Sequence, residues 1–354
     1  LQQINFSTTQ ICSILVCQLR QIGDVLLATP ALELLTKKFP QAAIHVLTEK
    51  KCAPVLENNP FVRRVWAIDK AAFRHLGQEL AFYWRVARQG FDLVVDFQQL
   101  PRCRWTVAFS GAPVRLSYTP PWYNRPLYTH WCDPLPGYAA MAKASVLRPL
   151  GIEWAGEKPL LVLSAAERDA ATAFCNTYGI NDNDILVTLD PTHRRPTREW
   201  PADHFGRLVA QACAVLPQLK FVIFYGPGEL PAAGRTYEIA LQAKTLRERV
   251  ILPESVIPLR LMAAVIGRAT MHFGNCSAPR HLAVAVGTPT LAILGATSHG
   301  WTYPSPEHRH VAAGLECQPC NRNTCADIRC LSELKPETVL PLFLEHLQTM
   351  GRKR

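Results

Sequence analysis

Short runs of β-branched and apolar residues alternate with helix-period patterns along this chain, and they do so twice. In the first half, residues 14–19, 44–47, 62–68 and 93–96 read as strands. Between them the spacing predicts helices over 25–39, 53–57 and 73–89. Strands that alternate with helices build βαβ units and a parallel sheet. Continuously apolar strands are buried on both faces, which requires helices on both sides of the sheet. The series resumes with strands over 185–189, 219–225, 250–252, 271–273 and 290–294. Its helices are expected over 202–216, 232–246, 259–267 and 279–286. The pattern therefore predicts two similar Rossmann-like domains with parallel sheets facing a central cleft, over residues 1–155 and 156–335. A last helix over 336–350 completes the chain, in segment 336–354, and Pro341 should kink it or delay its start. In sheets of this kind ligands bind beyond the carboxyl ends of the strands.

The periodicity breaks over residues 118–138, which are rich in Pro and aromatics. A long non-periodic loop in a compact protein is often functional. An excursion held down by its own aromatic packing is an equal alternative. A helix over 139–150 and a polar linker over 151–159 follow. No apolar run reaches the roughly 18–20 residues that span a bilayer. The first ten residues lack a charged start and a long apolar core, so they read as a loose leader and not as a signal peptide. With Leu1 opening the sequence, the start is expected at an unusual codon or upstream.

Charge and cysteine usage narrow the partners. With 38 Lys and Arg against 28 Asp and Glu, the net charge is +10. That favours anionic partners: nucleotides, phosphorylated sugars, nucleic acid or an anionic membrane surface. Of twelve cysteines, eight are scattered: Cys12, Cys17, Cys52, Cys103, Cys132, Cys175, Cys213 and Cys276. A chain this long does not need disulfides, and a free thiol in an apolar element packs as a small hydrophobe. With no export signal, a reducing cytoplasm is expected.

Four motifs at strand ends carry chemistry. In L-R-Q-I-G-D-V-L-L-A-T-P-A-L, Asp24 stands at the mouth of a helix, as an N-cap or as a carboxylate base. In D-P-T-H-R-R-P-T-R-E-W-P, Thr192, His193, Arg194, Arg195, Thr197 and Arg198 crowd one loop. Cations and hydroxyls before a helix suit a phosphate. In G-P-G-E, Glu229 could accept hydrogen bonds from sugar hydroxyls. In F-G-N-C-S-A-P-R-H, the turn from Ser277 to Ala278 opens a helix whose free N–H groups suit a diphosphate, with His281 either buried or touching the ligand. A fifth motif, C-x2-C-x4-C-x4-C, sets Cys317, Cys320, Cys325 and Cys330 close together. A structural role is expected there. A structural Zn²⁺, two disulfides and free thiols are all open.

Together these motifs resemble glycosyltransferase family 9, the bacterial heptosyltransferases of lipopolysaccharide core assembly, from about residue 14 to 339. The resemblance implies the GT-B architecture, with the acceptor on the N-terminal domain and the nucleotide sugar on the C-terminal one. It implies inverting, metal-independent transfer of heptose from ADP-heptose to a lipid A–Kdo core or related envelope acceptor, with no cofactor required. Asp24 would be the general base and Arg198 the cation against the departing diphosphate. Thr192 and His193 would share that phosphate loop, Glu229 would hold the ribose, and Ser277 and Ala278 would donate N–H groups. The family usually reads N-D-S-G-P-M-H where this chain reads N-C-S-A-P-R-H. Cys276 is thus a weaker acceptor than the family's Asp, Ala278 narrows the helix start, and Arg280 adds a charge. The alternatives are a non-catalytic nucleotide-sugar-binding homologue and a transferase using a different nucleotide sugar. Peripheral contact with the inner face of the cytoplasmic membrane is expected for an anionic glycolipid acceptor. Nucleic-acid binding ranks low, because the basic residues form no long run. Oligomeric state is not legible.

Overall fold

The structure is a computed structural model and describes residues 10–242 and 247–351. Most of the expected leader, and the end of the helix expected over 232–246, lie outside the described residues. The chain divides into two compact units, Leu1–Val162 and Leu163–Arg354.

The first unit is built on strands β1 (Ser13–Cys17), β2 (Ala43–Glu49), β3 (Arg64–Ile68), β4 (Leu93–Asp96), β5 (Val114–Tyr118) and β6 (His130–Cys132). They form one sheet in the order β3-β2-β1-β4-β5-β6, and every neighbouring pair is parallel. The second unit repeats the plan with β7 (Ile185–Asp190), β8 (Leu219–Ile223), β9 (Val250–Ile251), β10 (Met271–Asn275), β11 (Thr290–Leu294) and β12 (His308–Ala312). Their order, β12-β11-β10-β7-β8-β9, is the same topology. In each sheet the crossover connections reverse direction beside the first strand, between β1 and β4 and between β7 and β10. Such a switch point leaves a crevice at the strands' carboxyl ends.

Burial follows the strand pattern. Ile14, Leu15, Val16, Leu93, Val94 and Val95 are fully buried, as are Val187, Leu189, Phe221 and Phe273. In the second unit Trp200 packs edge-on against Phe205 and Phe273, and its indole N–H donates to the Leu334 carbonyl at 2.8 Å. Burying such an aromatic stabilises a core by roughly 1.5–3 kcal/mol, and the bonded N–H removes the cost of its polar tip.

Several elements differ from the sequence expectation. The helix expected over 25–39 is two helices, Ile22–Leu26 and Thr29–Lys38. Pro30 has no N–H to give to the Leu26 carbonyl, and the Thr29 hydroxyl donates to that carbonyl instead, at 2.6 Å. Segment 118–138 is not a structureless loop: it holds a 3₁₀ turn, Trp122–Leu127, and strand β6. The final helix, Pro336–Gly351, is continuous through Pro341, so its start is not delayed. The motif S-A-A-E supplies a capping box, with Ser164 and Glu167 bonded reciprocally, that opens the unexpected helix Ala165–Thr177. Among the described residues no helix is long and apolar enough to cross a membrane.

Candidate active site

In the first unit the crevice beside β1 holds Asp24. It is not the N-cap of its helix, because Gln21 occupies that place. Asp24 sits three residues later, where its Oδ2 accepts from the Gln21 backbone N–H at 3.2 Å. Its Oδ1 faces the Lys143 ammonium at 3.3 Å, and the side chain is 29% exposed. Lys143 also donates to Gln18 Oε1 at 3.0 Å, and Gln18 in turn donates to the Arg20 carbonyl at 2.8 Å. Burial pulls the Lys143 pKa down, and the Asp24 charge opposes that shift. From the β4 side, Gln98 accepts from the backbone N–H groups of Leu19 and Arg20 and so bridges the switch point. Lys143 lies on a helix more than a hundred residues from Asp24, and no local signal in the sequence pairs them.

In the second unit the crevice lies between β7 and β10. Asn275, fully buried at the end of β10, accepts from the Trp200 N–H at 2.9 Å and donates to the Pro191 carbonyl at 2.9 Å. One amide thus clamps both ends of the loop that carries His193 to Arg198. That loop rests on the turn after β11, where the Ala296 N–H donates to the Thr197 carbonyl at 2.9 Å. Gly295 allows this approach, since a Cβ there would lie 2.8 Å from the Leu331 side chain and collide with the Thr197 carbonyl.

The predicted polar residues of this unit converge. Glu229 Oε2 accepts from the Thr192 hydroxyl at 2.7 Å and from the Gly226 N–H at 2.8 Å. The positive φ of +82° at Gly228 makes that turn. Arg198 is half-buried, and its Nε has no hydrogen-bond partner. His193 Nδ1 accepts from the Arg195 N–H at 3.0 Å. Burial, and then the Arg198 charge, push its pKa down to about 4, so the ring is neutral at working pH. Ser277 precedes the helix Ala278–Ala285, and no side chain caps that helix start. His281 is buried, its pKa pushed down to about 3 by burial and then by Arg280, and its Nδ1 has no partner.

Two carboxylates were absent from the sequence expectation, although both stand in the quoted D-P-T-H-R-R-P-T-R-E-W-P motif. Asp190 ends β7, is 4% exposed and accepts from the Ser277 hydroxyl. Burial raises its pKa to about 7, with Glu229 and Glu199 adding repulsion against the Ser277 bond. Glu199 accepts from the His193 N–H at 3.2 Å, and burial raises its pKa too.

The segment that carries the late cysteines is tied to the loop of His193 to Arg198 and to the turn after β11. Thr197 donates to the Arg322 carbonyl at 2.8 Å, and Gln318 donates to the Gly295 carbonyl at 2.7 Å. All four thiols are free, so no disulfide joins them. Burial, and then the other three thiols, raise the Cys330 pKa. Among the described residues no group of three or more His, Cys, Asp or Glu side chains is arranged to hold a metal ion.

The signature of glycosyltransferase family 9 (heptosyltransferase) matches residues 80–329. The chain belongs to glycosyltransferase family 9. It is 26% identical over 290 residues to lipopolysaccharide heptosyltransferase 3 of Escherichia coli, covering 78% of this chain and 82% of that one. It is 24% identical over 352 residues to lipopolysaccharide heptosyltransferase 1 of Pseudomonas aeruginosa, covering 92% of each. Among solved structures, the family 9 glycosyltransferase of Veillonella parvula superposes with a TM-score of 0.80 at 22% identity, over 96% of this chain and 99% of that one. The E. coli ADP-heptose heptosyltransferase II does so with a TM-score of 0.75 at 18% identity, over 96% and 99%. This glycosyltransferase therefore has the α/β fold of the GT-B class, with two Rossmann-like domains.

Proposed function

We propose that the chain transfers heptose from ADP-heptose to a lipid A–Kdo core or related envelope acceptor, with inversion and without a metal ion. The observation that carries the reading is the clamped loop at the β7–β10 switch point. It presents an Arg198 Nε that is buried without a partner beside an uncapped helix start. An anion satisfies both. The C-terminal domain takes the donor. Arg198, His193 and the N–H groups after Ser277 hold the diphosphate, and the Glu229 carboxylate, oriented by Thr192 and Gly226, takes the ribose hydroxyls.

The N-terminal domain takes the acceptor. Asp24 removes the proton from the acceptor hydroxyl as that oxygen bonds to the anomeric carbon. The bond from that carbon to the diphosphate breaks, and its electron pair leaves on ADP. Attack from the face opposite the leaving group inverts the centre. A carboxylate serves as base here because proton removal accompanies bond formation, and Arg198 stabilises charge that grows on the leaving group. Lys143 acts through Asp24, holding its carboxylate without touching substrate.

The acceptor is an anionic glycolipid, so the chain works at the inner face of the cytoplasmic membrane, where its net charge of +10 favours contact. Trp122, 79% exposed, and its ring partner Tyr123 offer an aromatic surface to acceptor sugars. Calorimetric titration with ADP, ADP-heptose and UDP- and GDP-sugars tests the donor. Selective binding of ADP-heptose is expected, and selective binding of another nucleotide sugar overturns that assignment. Binding without turnover in the presence of acceptor supports the non-catalytic alternative. Retained activity in EDTA and an inverted product anomer test the rest.

A further inference from the structure

The helix that opens the donor crevice carries a charge with no counter-ion. Arg280 is 1% exposed. Helical side chains tilt back toward the helix start, and Arg280 does so: its Nη1 donates to Cys276 Sγ at 3.3 Å and its Nη2 to the Thr302 hydroxyl. Among the described residues no carboxylate pairs with it. The acid that ends β7, Asp190, engages the Ser277 hydroxyl instead. His272, His281 and His310 are held below their usual pKa by burial and then by the Arg280 charge, so the charge reaches three rings that cannot answer it. A buried guanidinium without an anion is costly. This one lies beside the uncapped, positive end of its own helix, which raises the cost. The arrangement is satisfied by an anion arriving from outside.

We propose that Arg280 is a ligand of the donor's diphosphate, a second cation beside Arg198. It rests on the reading of this crevice as the nucleotide-sugar site. Cys276 is what makes the ligand exchangeable. A thiol sulfur is a weak acceptor, so Nη1 leaves it readily for a phosphate oxygen while Nη2 stays on Thr302. A carboxylate at position 276 would hold Nη1 permanently and cancel the charge. The pair Cys276 and Arg280 therefore works as a unit: a neutral, weak holder and a cation kept free for phosphate. The planar guanidinium then bonds the leaving group from the side opposite its Thr302 anchor, and its charge offsets what develops on the diphosphate as the glycosyl bond breaks.

The test is calorimetry on the full chain with ADP and with adenosine, which lacks the phosphates. Arg280→Met should weaken ADP binding about tenfold or more, the range of a lost charge-assisted hydrogen bond, and leave adenosine within about twofold. Arg280→Lys keeps the charge without the planar fork and should fall between. Cys276→Asp should raise Tm by supplying the missing counter-ion and yet weaken ADP binding, which a merely structural pair would not do. It also keeps the inference testable where Arg280→Met fails to fold. Unchanged ADP affinity in Cys276→Asp and Arg280→Lys overturns the inference alone. Failure of the unmodified protein to bind ADP overturns the donor reading, and this inference with it.

Discussion

Replacing Asp190 by Asn should stabilise this enzyme, and by an amount that depends on pH. The side chain is buried on every side, and its pKa rises from 3.8 to about 7. Below pH 4 the folded and unfolded states both hold the proton, and burial of the neutral acid costs little. Between pH 4 and pH 7 the unfolded chain releases its proton while the folded chain keeps it, so stability falls as pH rises. Above pH 7 both states are ionised and the penalty is complete. At about 1.4 kcal/mol per pKa unit the full penalty is about 4 kcal/mol. Asn has the same shape, carries no charge and can still bond the Ser277 hydroxyl. Urea unfolding of both proteins at pH 4, 6 and 8, followed by far-ultraviolet circular dichroism, measures the difference directly. The variant should match the wild type at pH 4 and gain on the order of 4 kcal/mol at pH 8. A difference that does not change with pH, or a variant less stable at pH 8, would refute the reasoning. It would mean that a cation compensates the ionised carboxylate.

Lys143→Met removes the cation facing Asp24 at 3.3 Å. It should lower kcat about tenfold or more, the scale of a mispositioned base, while donor KM is unchanged, as steady-state kinetics with each substrate varied would show. Asn275→Ala leaves the Trp200 N–H and the Pro191 carbonyl unpaired in a buried clamp, and should cost about 1–3 kcal/mol for each group left without a partner in urea unfolding, together with a weaker response to ADP. Trp122→Ala should raise acceptor KM without altering donor KM or Tm, because the ring is 79% exposed. An unchanged acceptor KM would remove that ring from the acceptor surface.

How much of this was legible in the sequence depended on how local each signal was. Strands buried on both faces leave unbroken apolar runs, so β1, β4, β7 and β11 were visible. Strand β5, V-R-L-S-Y, and strand β12, H-R-H-V-A, mix charges with apolar residues toward the side of each sheet, and the apolar-run criterion misses them. The break between helices at Ala28 was written in Pro30, and the helix at Ala165 in its capping box, but in neither place does the hydrophobic period mark the boundary. The loop over 190–201 was legible because its cations and hydroxyls crowd into one short stretch at a strand end. Lys143, Asn275 and the unpaired state of Arg280 were not, since each is defined by what it meets far along the chain. A fully buried arginine and a surface arginine look alike until the fold decides which neighbours they lose.

The repeated topology adds a further step. The same strand order places one carboxylate beside the first strand of each unit, Asp24 after β1 and Asp190 at the end of β7. Their surroundings differ in every respect that governs acid–base behaviour. Asp24 keeps part of its surface in water and faces an ammonium group. Asp190 is sealed from water, with Glu199 and Glu229 as its charged neighbours. Burial and like charge favour the protonated acid, whereas water and an opposite charge favour the carboxylate. One plan therefore yields a partly exposed carboxylate that faces a cation and a second group poised near neutrality beside the proposed diphosphate loop. An arriving phosphate adds negative charge next to Asp190 and favours its proton further. ADP affinity of the wild type should then fall as pH rises through 7, while that of Asp190→Asn stays level. Calorimetry at pH 6 and pH 8 separates the two. Parallel pH dependence in both proteins would show that Asp190 does not couple to the phosphates, and that its burial serves the fold alone.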